Sequence, residues 1–498
     1  MNTRTAGILM HITSLPSPYT IGDLGPGAYG FADFLAQSGF CLWQILPLNP
    51  TNPISHHSPY SSDSAFAANP LLISPELLAQ DGLLTEDELP PATEQPPDRV
   101  DYELAGQHKA ACLEMAFQRL QDQGHSWPYE RFCRDNAFWL DDFALFRTLK
   151  KLHHDQGWFT WPEEHKDRDP EALDHIRHEL ARDLEREKVA QYLFFSQWQR
   201  LKASCNTRGI QLFGDIPIYV SYDSSDVWAN RDLFKLDDMG GPVTVAGVPP
   251  DYFSETGQLW GNPVYDWDRL QETGYAWWIA RLQHTLTQFD LVRIDHFRGF
   301  VGFWEVPSGE ETAINGQWTT APVYHFFRTL LRRFPSLPII AEDLGEITPD
   351  VREAIAHFGF PGMKILTFAF DSDDPNHTFL PHNHTRNCVV YTGTHDNNTV
   401  LGWIENEASP EERERLFAYL GRHVEAPDLP WVLIRLGMQS VANLVIVPMQ
   451  DILCLPESSR MNTPATREGN WLWRITPEQL SRELAEGCLT MNRVYGRI

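Results

Sequence analysis

The sequence predicts an α/β fold, specifically a (β/α)8 or TIM barrel, and two observations carry this prediction. Eight short apolar segments alternate with segments of helical periodicity, which is typical of a parallel sheet. The chain has 498 residues, well above the ~250 that a minimal barrel needs. The strands are predicted near residues 8–12, 41–47, 210–216, 290–295, 338–343, 362–369, 388–394 and 443–449. A doubly wound sheet is the alternative architecture.

Residues 71–205 interrupt this alternation, because strand-like runs vanish and helical patterns dominate. Helices are predicted there at residues 105–121, 135–153 and 170–203, with a Pro-rich linker or surface loop at 89–97. We therefore predict a helical insertion between strands 2 and 3. The first two β/α units would occupy residues 1–70, the insertion 71–205, and the remaining barrel 206–498.

Helical patterns also separate the other predicted strands, as a barrel requires. They cover residues 28–38, 324–334, 349–358, 410–424 and 430–439, a stretch with Trp277, Trp278 and Leu282, and the closing segment 457–498. The Gly- and Pro-rich stretch 240–263 is predicted as a long substrate loop over the C-terminal face, because loops of this length usually serve binding.

Composition excludes several classes of function. The net charge of −27 argues against nucleic acid and anionic membranes as partners, but not against a neutral substrate. The N-terminus lacks a signal-peptide layout, and no apolar run approaches the ~18 residues of a membrane span. Seven scattered cysteines without a Cys-x-x-Cys pair predict neither a zinc site nor a disulfide framework, and favour a cytoplasmic location. Neither a cofactor nor a metal is indicated.

Acidic residues end four of the predicted strands: Asp215, Asp295, Glu342 with Asp343, and Asp396. In a barrel these strand ends meet at one mouth. Gathering like charges is destabilising unless it serves a purpose, and paired carboxyl groups are what cleavage of a glycosidic bond requires. Helix caps or ion pairs at the rim remain the alternative, above all for Asp215 and Asp343.

The residue patterns also suggest separate roles for three of these acids. Arg293 and Asp295 project from the same side of a strand, and the arginine favours an ionised carboxylate that suits a nucleophile. An isolated Arg-x-Asp is nevertheless more often a structural ion pair. Glu342 follows an apolar strand, and burial would suit it to general acid/base catalysis. Asp396 would hold sugar hydroxyls or stabilise positive charge in the transition state.

Four segments carry these acids: Gly-Asp-Ile-Pro-Ile-Tyr-Val at 214–220, Arg-Ile-Asp-His-Phe-Arg-Gly-Phe at 293–300, Ala-Glu-Asp-Leu-Gly at 341–345 and Gly-Thr-His-Asp-Asn-Asn-Thr at 393–399. Further motifs are Ser-Pro-Tyr at 58–60, Ser-Ala-Phe at 64–66, Gly-Gln-Leu-Trp-Gly-Asn-Pro at 257–263, Arg-Met-Asn-Thr-Pro at 460–464 and Asn-Trp-Leu-Trp-Arg at 470–474. Over nearly the whole chain the sequence resembles the 4-α-glucanotransferases (amylomaltases or disproportionating enzymes, glycoside hydrolase family 77), relatives of the α-amylases. The loop at 247–263 separates this family from ordinary amylases.

The resemblance implies that Asp295 is the nucleophile, Glu342 the acid/base and Asp396 the stabiliser of the transition state. It implies sugar contacts at the cleavage point from Asp215, Arg293, His296 and His395, and further substrate contacts from Tyr60, Trp260 and Asp371. A packed loop anchor is the alternative for Trp260. Ordinary rim histidines are the alternative for His296 and His395.

The implied activity is retaining transfer of α-1,4-glucan segments from a maltooligosaccharide, starch or glycogen donor to the 4-hydroxyl of an acceptor, through a covalent glucosyl-enzyme intermediate. One rival is an amylase-type hydrolase or branching enzyme that uses the same acids. Another is a non-catalytic glucan-binding protein on the same barrel. The expected partners are maltooligosaccharides and α-1,4-glucans. Oligomeric state, preferred chain length and formation of cyclic products stay open.

Two positions depart from the family pattern. Ser61 follows the Ser-Pro-Tyr motif where glutamine is usual, and Ala465 stands where glycine usually follows the motif at 460–464. Neither position belongs to the three acids. The departures concern the glucan contacts and the mobility of the last loop.

Overall fold

The computed structural model describes residues 3–92, 98–124, 126–250 and 254–498. This part of the chain contains twelve strands: β1 (Thr5–Leu9), β2 (Leu42–Gln44), β3 (Gln211–Pro217), β4 (Thr244–Val248), β5 (Gln258–Pro263), β6 (Leu291–Asp295), β7 (Gly302–Pro307), β8 (Gln317–Thr320), β9 (Ile339–Ala341), β10 (Gly362–Ile365), β11 (Cys388–Tyr391) and β12 (Leu444–Pro448).

Eight of these strands form one parallel sheet in the order β10-β11-β12-β1-β2-β3-β6-β9. Each of the eight overlaps a predicted strand, although β1 begins and ends three residues earlier than predicted. The first strand, β1, pairs with both β2 and the last strand, β12. The two ends of the sheet meet where Ala341 N donates to Pro361 O at 2.9 Å, and Asp343 Oδ1 accepts from Met363 N at 2.6 Å. The predicted (β/α)8 barrel is confirmed, and the doubly wound alternative is wrong, because that sheet does not curl back on itself.

Alternate residues of the barrel strands face two different environments, as the two-residue period of a strand requires. At least one buried residue of each strand packs inside the barrel, and these include Leu9, Leu42, Phe213, Leu291, Ile340, Met363, Val389 and Ile446. Their neighbours, such as Val292, pack against the surrounding helices. Because Arg293 and Asp295 continue the inward series begun by Leu291, their side chains point to the interior at its C-terminal mouth.

The same described ranges contain seventeen α-helices: α1 (Pro26–Ser38), α2 (Pro75–Gln80), α3 (Tyr102–Gln123), α4 (Trp127–Leu152), α5 (Glu163–Lys166), α6 (Pro170–Glu179), α7 (Ala181–Thr207), α8 (Ser225–Ala229), α9 (Trp267–Glu272), α10 (Ala276–Gln288), α11 (Val323–Arg333), α12 (Pro349–Phe358), α13 (Val400–Gly402), α14 (Pro410–Leu420), α15 (Leu429–Gln439), α16 (Met449–Ile452) and α17 (Arg482–Val494). Each predicted helical segment overlaps at least one of them. None of these helices has the length and hydropathy that crossing a bilayer demands.

Two helix predictions need correction. The helix predicted over residues 170–203 is broken at Leu180, which separates α6 from α7 with non-helical angles (φ −108°, ψ 28°). Because neither proline nor glycine lies at this break and the apolar periodicity continues across it, the sequence gives no sign of the break. The helix predicted over 410–424 ends at Leu420, because Gly421 adopts a left-handed conformation (φ 68°) that terminates α14.

The described part of residues 71–205 contains α2 to α7 and no β-strand. Its last helix, α7, runs directly into β3 and so also fills the place of a barrel helix between β2 and β3. Residues 93–97 of the Pro-rich segment lie outside the described residues. The division into units at residues 70 and 205 stays a prediction.

A second, antiparallel sheet has the order β5-β4-β7-β8. Its strands β4 and β5 lie within residues 240–263, which the sequence predicted as a loop. That prediction was wrong for the described residues, because β4 pairs with β7, a partner more than fifty residues away along the chain that local periodicity cannot reveal. A side chain at Gly247 would meet Gln258 O at 2.5 Å, so the close approach of β4 and β5 needs glycine there. Residues 251–253 fall outside the described residues.

Candidate active site

Arg293 joins two carboxylates at the mouth of the barrel. Its Nη1 donates to both oxygens of Asp215, at 2.8 and 2.7 Å, and its Nη2 donates to Asp295 Oδ1 at 2.7 Å. Asp215 and Arg293 are directly paired across β3 and β6. The Tyr60 hydroxyl adds a hydrogen bond of 2.8 Å to Asp215 Oδ2. Four predicted site residues thus form one connected network.

The electrostatics of this network keep Arg293 charged. Burial lowers the pKa of Arg293, but the carboxylates of Asp215 and Asp295 raise it well above its ordinary value. Burial, followed by the charge of Asp215, raises the pKa of Tyr60 well above its ordinary value, so the phenol stays neutral. Asp215 is 1% exposed and Arg293 3%, whereas the side chain of Asp295 is 30% exposed. Asp295 is therefore the member of the network that a ligand in the mouth can reach.

Glu342 lies directly after β9 and is held by two backbone amides. His296 N donates to its Oε2 at 2.6 Å, and Leu344 N donates to its Oε1 at 2.8 Å. Burial raises the pKa of Glu342 to about 8; Arg293 opposes this rise and Asp295 reinforces it. At neutral pH Glu342 is therefore a carboxylic acid with a proton to donate.

Asp396 lies in the loop after β11, and a distant segment of the chain holds it. Asn462 Nδ2 donates to Asp396 Oδ1 at 2.6 Å, and Arg460 Nη2 donates to its backbone oxygen at 2.7 Å. His395 Nε2 lies 3.3 Å from Asp396 Oδ1. The Asp396 side chain remains 41% exposed, so it is open to a ligand although its position is set.

Aromatic rings connect these loops. Tyr60 stacks on His395 with ring centroids 5.1 Å apart and an angle of 11° between planes. Trp471 lies beside both rings, at 6.2 and 6.0 Å. The Tyr60 segment after β2, the Asp396 loop and the segment near residue 471 therefore form one wall of the site.

Trp260 and His296 form a second aromatic contact. Their rings meet edge to face with centroids 4.8 Å apart, and Trp260 is 37% exposed. Burial lowers the pKa of His296 to about 4, so its imidazole is neutral near pH 7. The exposure of Trp260 argues against a packed loop anchor, because a large aromatic face remains available on β5.

Asp371 does not join this network through any described contact. It lies after β10, where its Oδ1 is 3.4 Å from His377 Nε2 and its backbone oxygen accepts from Arg415. The other nine predicted residues are connected by the contacts above and by the peptide bond between Asp295 and His296. The role of Asp371 in substrate binding stays a prediction.

Sequence reasoning assigned no role to Asn462, Arg460 and Trp471, which hold or flank Asp396. The only sign of them was that the segments 460–464 and 470–474 resemble family motifs. Residue type alone does not indicate that an asparagine lies against a carboxylate that is 66 positions away along the chain.

The two departures from the family pattern have distinct structural settings. Two residues after Ser61, the buried Asp63 forms an ion pair of 2.5 Å with Arg147 of α4. This pair attaches the segment that contains Tyr60 and Ser61 to the helical region. Ala465 has φ 63°, a left-handed conformation that glycine adopts without strain and alanine does not.

Fold and site together define a (β/α)8-barrel protein whose mouth holds the paired carboxyl groups that glycosidic chemistry requires. Among the described residues, no group of three or more His, Cys, Asp or Glu side chains is arranged to hold a metal ion. Residues 10–480 match the sequence model of the 4-alpha-glucanotransferase family, glycoside hydrolase family 77. The chain belongs to this family.

Individual relatives agree with this assignment. A 4-alpha-glucanotransferase of Synechocystis sp. is 48% identical over 503 residues, which span 100% of this chain and 99% of that protein. One of Aquifex aeolicus is 46% identical over 99% of both chains. The amylomaltase from Streptococcus agalactiae, solved in complex with acarbose, is 39% identical, covers 99% of both chains and superimposes with a TM-score of 0.95. The family resemblance and the barrel fold are confirmed.

Proposed function

We propose that this protein is a retaining 4-α-glucanotransferase that moves segments of α-1,4-glucan between chains. The observation that carries the proposal is that the barrel mouth holds both Glu342, whose pKa burial raises to about 8, and the exposed Asp295, whose carboxylate accepts a hydrogen bond from Arg293. A proton donor and an exposed carboxylate at one mouth are the two parts of a retaining mechanism. Family membership supports α-1,4-glucans as the substrate class.

In the first step, an oxygen of Asp295 attacks C1 of a donor glucose unit. The bond between C1 and the glycosidic oxygen breaks, and Glu342 gives its proton to that oxygen, which leaves on the departing glucan. The product is a covalent glucosyl-enzyme ester and an ionised Glu342. Asp396 lies open beside His395, where its charge favours the oxocarbenium-like transition state.

In the second step, Glu342 takes the proton of an acceptor 4-hydroxyl, whose oxygen attacks C1 on the face left by the first glucan. The bond from C1 to Asp295 breaks, so both carboxyl groups return to their starting states. Two inversions at C1 give net retention. Transfer wins over hydrolysis when a bound acceptor supplies its hydroxyl at high effective concentration and water is kept out.

Maltotriose as sole substrate tests this proposal. Transfer yields glucose and longer maltooligosaccharides at a constant number of reducing ends. A hydrolase would raise the number of reducing ends, and a branching enzyme would make α-1,6 bonds. Asp295→Ala is expected to abolish the reaction, and products that persist in this variant at the wild-type rate would contradict the assigned nucleophile. Complete absence of turnover by the wild type would instead favour a non-catalytic glucan-binding protein.

Several predictions from composition accompany this proposal without contributing to it. A cytoplasmic location and the exclusion of nucleic acids and membranes remain predictions from charge and cysteine usage, whereas glucans as partners follow from the family resemblance. The same composition makes no prediction of oligomeric state.

A further inference from the structure

A cleft outside the candidate active site lies between α4 of the helical region and α8 and α10. We call it the α4–α8–α10 cleft. Its volume of about 350 Å³ falls within the ~300–1,000 Å³ typical of small-molecule sites. Its lining residues include none of the ten predicted site residues; the ones used below are Phe66, Phe138, Trp139, Asp226, Ala276 and Trp277. Asp142 and Asp232 also line it.

One buried ring positions the aromatic wall of this cleft. Phe66 meets Phe138 edge to face at 5.7 Å and Trp277 at 5.8 Å, and it stacks on Trp139 at 6.4 Å. Phe138 is 56% exposed, whereas Phe66, Trp139 and Trp277 are buried. A rigid aromatic wall with one open ring needs no rearrangement to receive a flat apolar face.

The charges around the cleft are largely compensated. Asp142 pairs with Arg168 at 2.6 Å, and Asp232 pairs with Arg269 at 3.0 Å. These pairs remove the main attraction for a cationic ligand, and the remaining carboxylate would repel an anionic one. The cleft therefore favours a neutral ligand.

Two buried polar groups of the cleft wall have hydrogen-bonding capacity to spare. Asp226 is 4% exposed, and its Oδ2 accepts from Ala65 N at 2.7 Å. Trp277 is 9% exposed, and its indole Nε1 has no hydrogen-bond partner among the described residues. A buried donor without an acceptor is costly, so this wall carries an unmet hydrogen-bonding demand next to the cleft.

We propose that the α4–α8–α10 cleft binds a neutral, hydroxyl-rich chain, namely a second stretch of α-1,4-glucan. Pyranose rings offer apolar C–H faces to the aromatic wall and hydroxyls to the polar groups. The identity of the sugar rests on the proposed function. A chain long enough to reach both the cleft and the active site gains affinity from both contacts, whereas a short oligosaccharide does not.

The kinetic test compares long and short substrates. Phe138→Ala removes the open ring without disturbing the core, and Ala276→Arg fills the cleft from an exposed position on α10. Trp127→Ala is the matched control, because Trp127 is an aromatic residue of the same helix α4, is 64% exposed and does not line the cleft. Both cleft variants are expected to raise KM for soluble amylose several-fold while kcat and KM for maltotriose stay unchanged, and the control should change neither.

Binding is measured directly by calorimetry with maltoheptaose and the Asp295→Asn protein, which does not consume the probe. Two sites per chain are expected, and one after Phe138→Ala is added. A single site in both proteins would overturn the proposal. Displacement of maltoheptaose from the cleft by the polycation spermidine would also overturn it, because the cleft would then select a cation. Because the maltotriose reaction of the wild type is measured independently, a single binding site with intact transfer contradicts only the cleft, whereas lost transfer contradicts the proposed function.

Discussion

The backbone amide of His296 donates a hydrogen bond of 2.6 Å to Glu342 Oε2, and so connects the ends of β6 and β9. His296 reaches this position in a left-handed conformation (φ 52°, ψ 51°) immediately after Asp295. Such a conformation costs a non-glycine residue about 1–2 kcal/mol, and strain of this kind is concentrated at functional sites. The turn that follows the proposed nucleophile therefore helps to position the proposed proton donor.

The protonation of Glu342 predicts an alkaline limit to activity. Its pKa is raised from 4.5 to about 8, mainly by burial, so the acid form is lost as pH rises through about 8. We expect kcat/KM for maltotriose to fall across that range. The same shift contributes stability that is fully present below pH 4.5 and is lost as pH rises to about 8. Glu342→Gln should remove this contribution, as measured by urea unfolding at several pH values; an unchanged pH profile of stability would contradict it.

Arg293 is expected to matter for folding as well as for turnover. Arg293→Ala leaves Asp215 buried and unpaired, and loss of one partner of a buried ion pair typically costs about 3–5 kcal/mol. Asp295→Ala is the matched variant, because it leaves the pair of Arg293 and Asp215 intact, and it should cost less than ~1 kcal/mol since the Asp295 side chain is partly exposed. Both variants should lose turnover. Urea titration checks the difference, and equal stability of the two proteins would show that Arg293 serves Asp295 alone.

Asn462 is expected to act by positioning Asp396. Asn462→Ala removes the hydrogen bond of 2.6 Å to Asp396 Oδ1, although Arg460 still holds the backbone of that residue. A small misplacement of a reacting group costs up to about 100-fold in rate. We expect kcat on maltotriose to fall about 10- to 100-fold with a smaller change in KM. Asn315→Ala, which removes an exposed asparagine on the β7–β8 connection, is the control.

Trp260 is expected to favour transfer over hydrolysis. It lies on β5, contacts the ring of His296 edge to face and is 37% exposed. In this position it would cover the mouth of the barrel and exclude water. Trp260→Ala should raise the ratio of hydrolysis to transfer on maltotriose, read as the rise in reducing ends. Trp318→Ala, at a tryptophan of similar exposure (41%) on the opposite edge of the same sheet, should leave the ratio unchanged. If the ratio of hydrolysis to transfer is unaltered in both variants, residues other than Trp260 exclude water from the site.

Ala465 is expected to be a strained residue that glycine would relieve. Its left-handed conformation costs about 1–2 kcal/mol, and glycine loses roughly 0.5–1 kcal/mol more backbone entropy on folding. Ala465→Gly should therefore raise the free energy of unfolding by up to about 1 kcal/mol. Ala111→Gly in the exposed middle of α3 should lower it by about 1 kcal/mol. Denaturant titration of both proteins distinguishes relief of strain from a general effect of glycine.

The positions of the eight barrel strands could be predicted from the sequence, because a parallel strand buried on both faces is a nearly continuous apolar run. The same runs predicted acids at strand ends, which holds for Asp295 and Glu342, whereas Asp396 lies in the loop after β11. The break at Leu180 and the pairing of β4 with β7 could not be predicted, since the first has no glycine or proline and the second joins distant segments.

The sequence by itself thus determined the barrel, the order of its strands along the chain and the acids that follow them, because an apolar run and the residues next to it are local features. Only the tertiary structure decided which groups meet. It paired Arg293 with Asp215 as well as Asp295, and it placed Asn462 against Asp396. These contacts arise from closure of the barrel, which brings together segments that no local pattern connects. The raised pKa of Glu342 is likewise a consequence of burial among those neighbours, and not of the residue type.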